Sequence, residues 1–152
     1  MARKLDHSAD FTVPAVPDRV FPLLCPIIEY KWLVHWRCDL LHSTSGTAEE
    51  DCVFRTASPQ GGAMTWVVSR YAAPRRIEFT CFVSETYVFR LKIALAPEGA
   101  STRLDWTHRW LALGPEGDAW LAKWSEAEHK KGMNFLQRAL THYLATGEML
   151  QS

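Results

Sequence analysis

STRLDWTHRWLAL (residues 101–113) runs into GPEGDAWLAKWSEAEHKKGMNFLQRALTHYLAT (residues 114–146), and the reading of this stretch decides the fold. In its first part Leu104, Trp106, His108 and Trp110 alternate with Arg103, Asp105, Thr107 and Arg109. Successive side chains of a strand point to opposite faces, so this is a strand with one dry and one wet face. Gly114 to Asp118 end the alternation and open a long helix, with Asp118 as its cap and Gly147 as its stop. A helix from Asp118 to Thr146 spans roughly 40 Å, enough to cross a whole sheet. Its apolar stripe runs through Trp124, Phe135, Leu136, Ala139, Leu140 and Tyr143, with Glu128 and Gly132 on the same inner side.

Upstream, the same period-two pattern recurs. Leu5 to Val13 alternate cleanly and end at Pro14 and Pro17. Asp18 to Leu24 reads as a short helix stopped by Pro26, and Ile27 to Leu33 as a second short helical turn. Trp36, Cys38, Leu40 and His42 then share a dry face. Further strands cover Cys52 to Thr56, Met64 to Val68, Ile77 to Val83 and Phe89 to Leu95. Turns are expected at residues 58–62, at Ala73-Pro74 and at Pro97-Glu98-Gly99. Counting the first and last, these are seven strands, mostly in an antiparallel meander. The fold class is α+β: a curved sheet wrapped around a C-terminal helix. A strongly curved sheet does not touch a straight helix everywhere, so a gap between them is expected.

At 152 residues the chain makes one domain, 1–152, with a proper core. Its 17 basic and 17 acidic residues cancel and form no blocks, which disfavours nucleic acid. No apolar run reaches the length of a membrane span, and the start MARKLDHSAD lacks a signal-peptide core. Cys25, Cys38, Cys52 and Cys81 have neither CxxC spacing nor the density of a disulfide scaffold, so reduced thiols in a cytoplasmic protein are expected. Seven tryptophans include the pairs Trp32/Trp36, Trp106/Trp110 and Trp120/Trp124, each four residues apart. That spacing puts both rings of a pair on one side of a strand or a helix, and argues for an aromatic-walled interior.

The order of elements, the Val16-Pro17-Asp18-Arg19-Val20-Phe21 helix start and the Lys31-Trp32-Leu33 segment resemble the START/Bet v 1-like (SRPBCC) superfamily over roughly Leu5 to Leu144. The stretch Cys25-Pro26-Ile27-Ile28-Glu29-Tyr30-Lys31-Trp32 is similar to one found in uncharacterised bacterial members. The resemblance implies a helix-grip fold with an internal cavity for lipids, polyketides or other apolar molecules. Its members include carriers, cyclases and chaperone-activator domains, so fold alone does not choose among them.

The residues offer three constellations. His7, His42 and His108 lie on dry strand faces, and the resemblance makes the first and last strands neighbours, bringing His7 near His108. Paired imidazoles either bind metal, act as acid and base, or simply bury hydrogen-bonded rings. No spacing motif supports a metal, and none is expected. His35, His129 and His142 read as surface positions. Glu128 is a second candidate, as a general acid or base or as an ion-pair partner of an inward Arg70, the natural contact for an anionic ligand. In the third, Glu29-Tyr30-Lys31-Trp32, a structural role is expected, with Tyr30 and Trp32 anchoring the short helices over the cavity mouth and Glu29 capping or bridging backbone; the functional alternative makes Trp32 and Trp36 part of the entrance gate. Cys25 lacks a basic partner and makes a poor nucleophile.

The expectation is a cofactor-free protein that binds a small hydrophobic or aromatic molecule. Trp36, Phe54, Trp66, Phe79, Phe89, Trp106, His108 and Phe135 would line the walls, and Arg70 and Glu128 would hold the polar end. The alternatives are a polyketide cyclase/aromatase-like enzyme using His108 or Glu128, and a protein-interaction module with a filled core. Homodimerisation is compatible with all three.

Overall fold

The structure, a computed structural model, describes residues 3–58 and 62–151. Strand β1 (Lys4–Val13) leads into helix α1 (Pro17–Val20) and into 3-10 turns at Phe21–Leu24 and Glu29–Lys31. Six strands follow: β2 (Asp39–His42), β3 (Val53–Ala57), β4 (Ala63–Ala72), β5 (Arg76–Val83), β6 (Tyr87–Glu98) and β7 (Ser101–Ala112). They form one antiparallel sheet in the order β1-β7-β6-β5-β4-β3-β2. Helices α2 (Pro115–Lys123) and α3 (Glu126–Thr146) close the chain. This is the helix-grip architecture. Of the turn expected at residues 58–62, Pro59, Gln60 and Gly61 lie outside the described residues.

The alternation of β7 is the clearest in the molecule: Leu104, Trp106, His108 and Trp110 are buried while Arg103, Asp105, Thr107 and Arg109 are exposed. Their neighbours in register, Leu95, Ile93, Leu91 and Phe89 of β6, continue the same dry face. A large core gathers Phe11, Val13, Val20, Phe21, Trp32, Phe54, Val68 and Leu140. A smaller one, of Cys81, Val83, Tyr87, Phe89, Trp110 and Leu121, lies under α2 with Trp120 and Trp124 packed on it.

Three expectations about elements are corrected. The long helix is two helices: α2 starts at Pro115, Gly114 holds its cap position, and Asp118 sits inside it, accepting from the Arg3 backbone at 2.6 Å. The break comes at Trp124, whose backbone is extended, and Ser125 recaps the chain by accepting from the Glu128 backbone N–H at 3.1 Å. The stop at Gly147 stands, with φ +73° in the left-handed region that closes a helix.

Strand β2 is shorter than expected and exposed at all four residues, so Leu40 and His42 face solvent and not a dry interior. It is the edge strand farthest from β1, the strand along which α3 packs. Finally, β4 carries a bulge. Val68 pairs with Phe79 and Arg70 with Glu78, so Ser69 is an extra residue and the parity beyond it reverses.

Candidate functional site

A cavity of about 140 Å³ lies between the sheet, the turns that follow α1, and α3. Its walls are Trp36, Phe54, Trp66, Phe79 and Trp106, together with Leu24, Glu29, Trp32, Leu33, Leu91, Ile93 and Leu136. Phe54 and Trp66 stack at 5.7 Å with planes 4° apart, and Phe79 stands at 89° and 90° to them. Cross-strand register produces this, because Phe54 faces Trp66 on β3 and β4 while Phe79 faces Val68. Three of the four indoles spend their N–H on the protein. Trp32 donates to the Leu23 carbonyl at 2.7 Å, Trp36 to the Pro26 carbonyl at 2.8 Å, and Trp66 to the Thr56 hydroxyl at 3.0 Å. The fourth, Trp106, is buried and its Nε1 has no partner among the described residues.

Glu29 is the one ionisable group on these walls. It is half-buried, and its carboxyl has no hydrogen-bond or ion-pair partner among the described residues. Removal from water holds its pKa well above the usual carboxylate value. The expected backbone-capping role for this side chain is therefore replaced: the acid faces an apolar, aromatic wall.

Arg70 and Glu128 are not in the cavity. Past the β4 bulge, Arg70 points outward, with more than half its side chain exposed, and lies 3.6 Å from Glu78. Glu128 is exposed in the first turn of α3, as is Gly132 one turn later. The inner face of α3 instead carries His129, Met133, Leu136 and Leu140. Extrapolating the phase from Trp124 misplaces it by one residue, because the break at Ser125 restarts the helix. Phe135 lies beside this face, with the Arg138 guanidinium 5.6 Å from its ring centre. Phe89 is buried in the smaller core, stacked on Trp110 at 5.0 Å.

His108 also sits away from the cavity, in a row of nearly parallel rings between Trp106 and Trp110. His7 is its register partner on β1, as expected from the strand order. The third member, His129, was assigned to the surface by sequence; it is buried, and its Nε2 shares a 3.1 Å hydrogen bond with Nδ1 of His108. It also stacks on His7 at 4.9 Å. Burial, then the neighbouring His129 and His7, push the His108 pKa down to about 3. Burial and then His7 lower that of His129. These are neutral rings that tie α3 to β7 and β1. His35 is exposed and His142 half-buried.

The signal that sequence reading passed over is Ser125-Glu126-Ala127-Glu128, the Ser-x-x-Glu pattern of a helix start. Reading it as a cap restarts the helix there, with His129 and Met133 inside in place of Glu128 and Gly132. Nothing comparable marks Glu29, whose direction depends on a single 3-10 turn.

A family model described as polyketide cyclase/dehydrase and lipid transport matches residues 4–141. The chain belongs to this family. No curated protein sequence matches it. Among solved structures, Mll3558 from Rhizobium loti is similar at 16% identity and TM-score 0.66, over 93% of this chain and 98% of that one. DynU16, of the dynemicin biosynthetic locus, is 17% identical with TM-score 0.62, over 94% of this chain and 48% of its own. Norcoclaurine synthase from Thalictrum flavum, solved in complex with dopamine and hydroxybenzaldehyde, is 7% identical with TM-score 0.66, over 95% and 88%. At these identities the likeness establishes the Bet v 1-like fold. Among the described residues no helix is long and apolar enough to cross a membrane.

Proposed function

We propose that this protein binds one small aromatic or apolar molecule between its sheet and α3. The observation that carries the reading is the cavity of about 140 Å³ walled by four indoles and two phenyl rings. Apolar cavities of about 150 Å³ stay dry and take up benzene, whereas pockets for drug-sized ligands run from about 300 Å³. The ligand body is accordingly one ring in size, smaller than the lipid or polyketide that the family description brings to mind. The norcoclaurine synthase neighbour is a case of the same fold solved with small aromatic molecules.

The test is calorimetric titration with toluene, indole and phenol, alongside fatty acids and polycyclic polyphenols, with melting curves in parallel. Single-ring compounds should bind and raise the melting temperature. Absence of binding by all of them would remove this reading in favour of a filled core.

A second reading, a cyclase-like enzyme, is favoured by one observation. Glu29 combines a carboxyl whose pKa desolvation raises with an apolar cavity, the direction in which general acid catalysis tunes a carboxyl. It does not rest on Glu128, which faces solvent, nor on His108, which is outside the cavity walls.

A further inference from the structure

We propose that the cavity selects a cationic amine carried on a body the size of a single ring, with Glu29 as the counter-charge. The inference rests on the cavity-binding reading and deepens it to a ligand class.

Charge comes first. An anionic ligand would need a cation on the walls, and the residue that sequence analysis offered for that purpose, Arg70, lies on the outer face beside Glu78. The walls hold one ionisable group, and it is an acid. A lone carboxyl with no hydrogen-bond or ion-pair partner in an apolar surround is costly to keep ionised. A ligand that brings a positive charge against it removes that cost by making a charge-assisted hydrogen bond in low dielectric.

The walls point the same way. Aromatic rings carry a negative face, and cations held among several of them are attracted by each. Trp32, Trp36, Trp66 and Trp106, with Phe54 and Phe79, supply six such rings on the walls that Glu29 shares. An aromatic cage with an acid is the chemistry that recognises ammonium groups. A neutral carbonyl or hydroxyl would gain a hydrogen bond from Glu29 but little from the ring faces. A carboxylate ligand would meet an acid and no cation.

The cavity's size limits the rest of the ligand. About 140 Å³ admits one six-membered ring with a short aminoalkyl arm.

Three near-isosteric probes separate the outcomes: benzylamine, benzyl alcohol and benzoate, titrated calorimetrically at pH 7 into wild-type protein, Glu29→Gln and Leu136→Trp. Benzylamine should bind at least about tenfold more tightly than benzyl alcohol, the margin of a hydrogen bond to a charged group, with benzoate weakest. Glu29→Gln should bring benzylamine to within about twofold of the alcohol, with the variant's fold confirmed by its melting curve. Leu136→Trp fills the cavity and should abolish binding of both. If benzyl alcohol binds but benzylamine gains nothing, or keeps its gain in Glu29→Gln, the amine inference is overturned and the cavity reading stands. Benzylamine binding that survives in Leu136→Trp also overturns the inference, since the site then lies on the surface. If neither amine nor alcohol binds to wild type, the cavity reading fails with it.

Discussion

At the residue scale, half-buried Glu29 and the buried histidines pull stability in opposite directions with pH. Glu29 ionises near 4.5 in the unfolded chain and at a higher pH when folded. Above 4.5 the folded state therefore binds more protons, and Glu29 costs stability as pH rises. Glu29→Gln should melt at a higher temperature than wild type at pH 8, with the gap closing toward pH 4; equal melting at both would show that the acid is solvated. The histidines behave in the reverse sense. His108 takes its proton near 6.5 in the unfolded chain and at about 3 when folded, so the unfolded state binds more protons in that window and stability falls as pH falls. The slope for one such ring approaches about 1.4 kcal/mol per pH unit, and His129 adds in the same direction. Urea unfolding between pH 6.5 and 5, carried out in the Glu29→Gln background so that the raised carboxyl does not contribute the opposite slope, measures it. His108→Phe, which keeps a ring between Trp106 and Trp110, should flatten the slope, and an unchanged slope would assign the pH dependence elsewhere.

At the element scale, two helical glycines have opposite meanings. A Cβ on Gly117 would lie 2.0 Å from the Thr86 carbonyl oxygen, so α2 rests directly on the backbone between β5 and β6. Gly117→Ala should lose about 3 kcal/mol, the upper range for overpacking. Gly132 meets nothing within 4 Å. Its exposed place in α3 predicts a gain of about 1 kcal/mol for Gly132→Ala, which thermal or urea melts will compare directly with Gly117→Ala. Sequence reading placed Gly132 on the inner side of the long helix; the restart at Ser125 leaves it exposed. The pattern of strands was legible because a period of two needs only local alternation, as in Leu104 to Trp110. Phase across an interruption was not. One extra residue at Ser69 sent Arg70 outward, and one cap at Ser125 exchanged Glu128 for His129. Period-two and period-3.6 patterns identify elements, but each irregularity between them resets which side chains face inward.

At the scale of the whole molecule, the cavity is what the sheet and α3 leave between them after ten or more aromatic rings have packed. That explains why the aromatic interior was legible in sequence while the free volume was not: ring counts predict a wall but not how closely it closes. Five expected wall residues, Trp36, Phe54, Trp66, Phe79 and Trp106, do border the space, and the side chain that α3 contributes to its walls is Leu136. A ligand that binds only the folded state stabilises it by about 2.7 kcal/mol at a hundred times its Kd, so occupancy is readable from melting curves. Leu136→Ala removes three carbons from the cavity roof and should cost about 2 kcal/mol, the low end for a half-buried leucine. In return, the enlarged space should admit a two-ring body. Naphthalene, with little or no effect on the wild-type melt, should stabilise Leu136→Ala measurably, while toluene should bind it more weakly because a single ring no longer fills the space. If naphthalene stabilises both proteins equally, α3 moves to accommodate ligands and the folded cavity does not set their size.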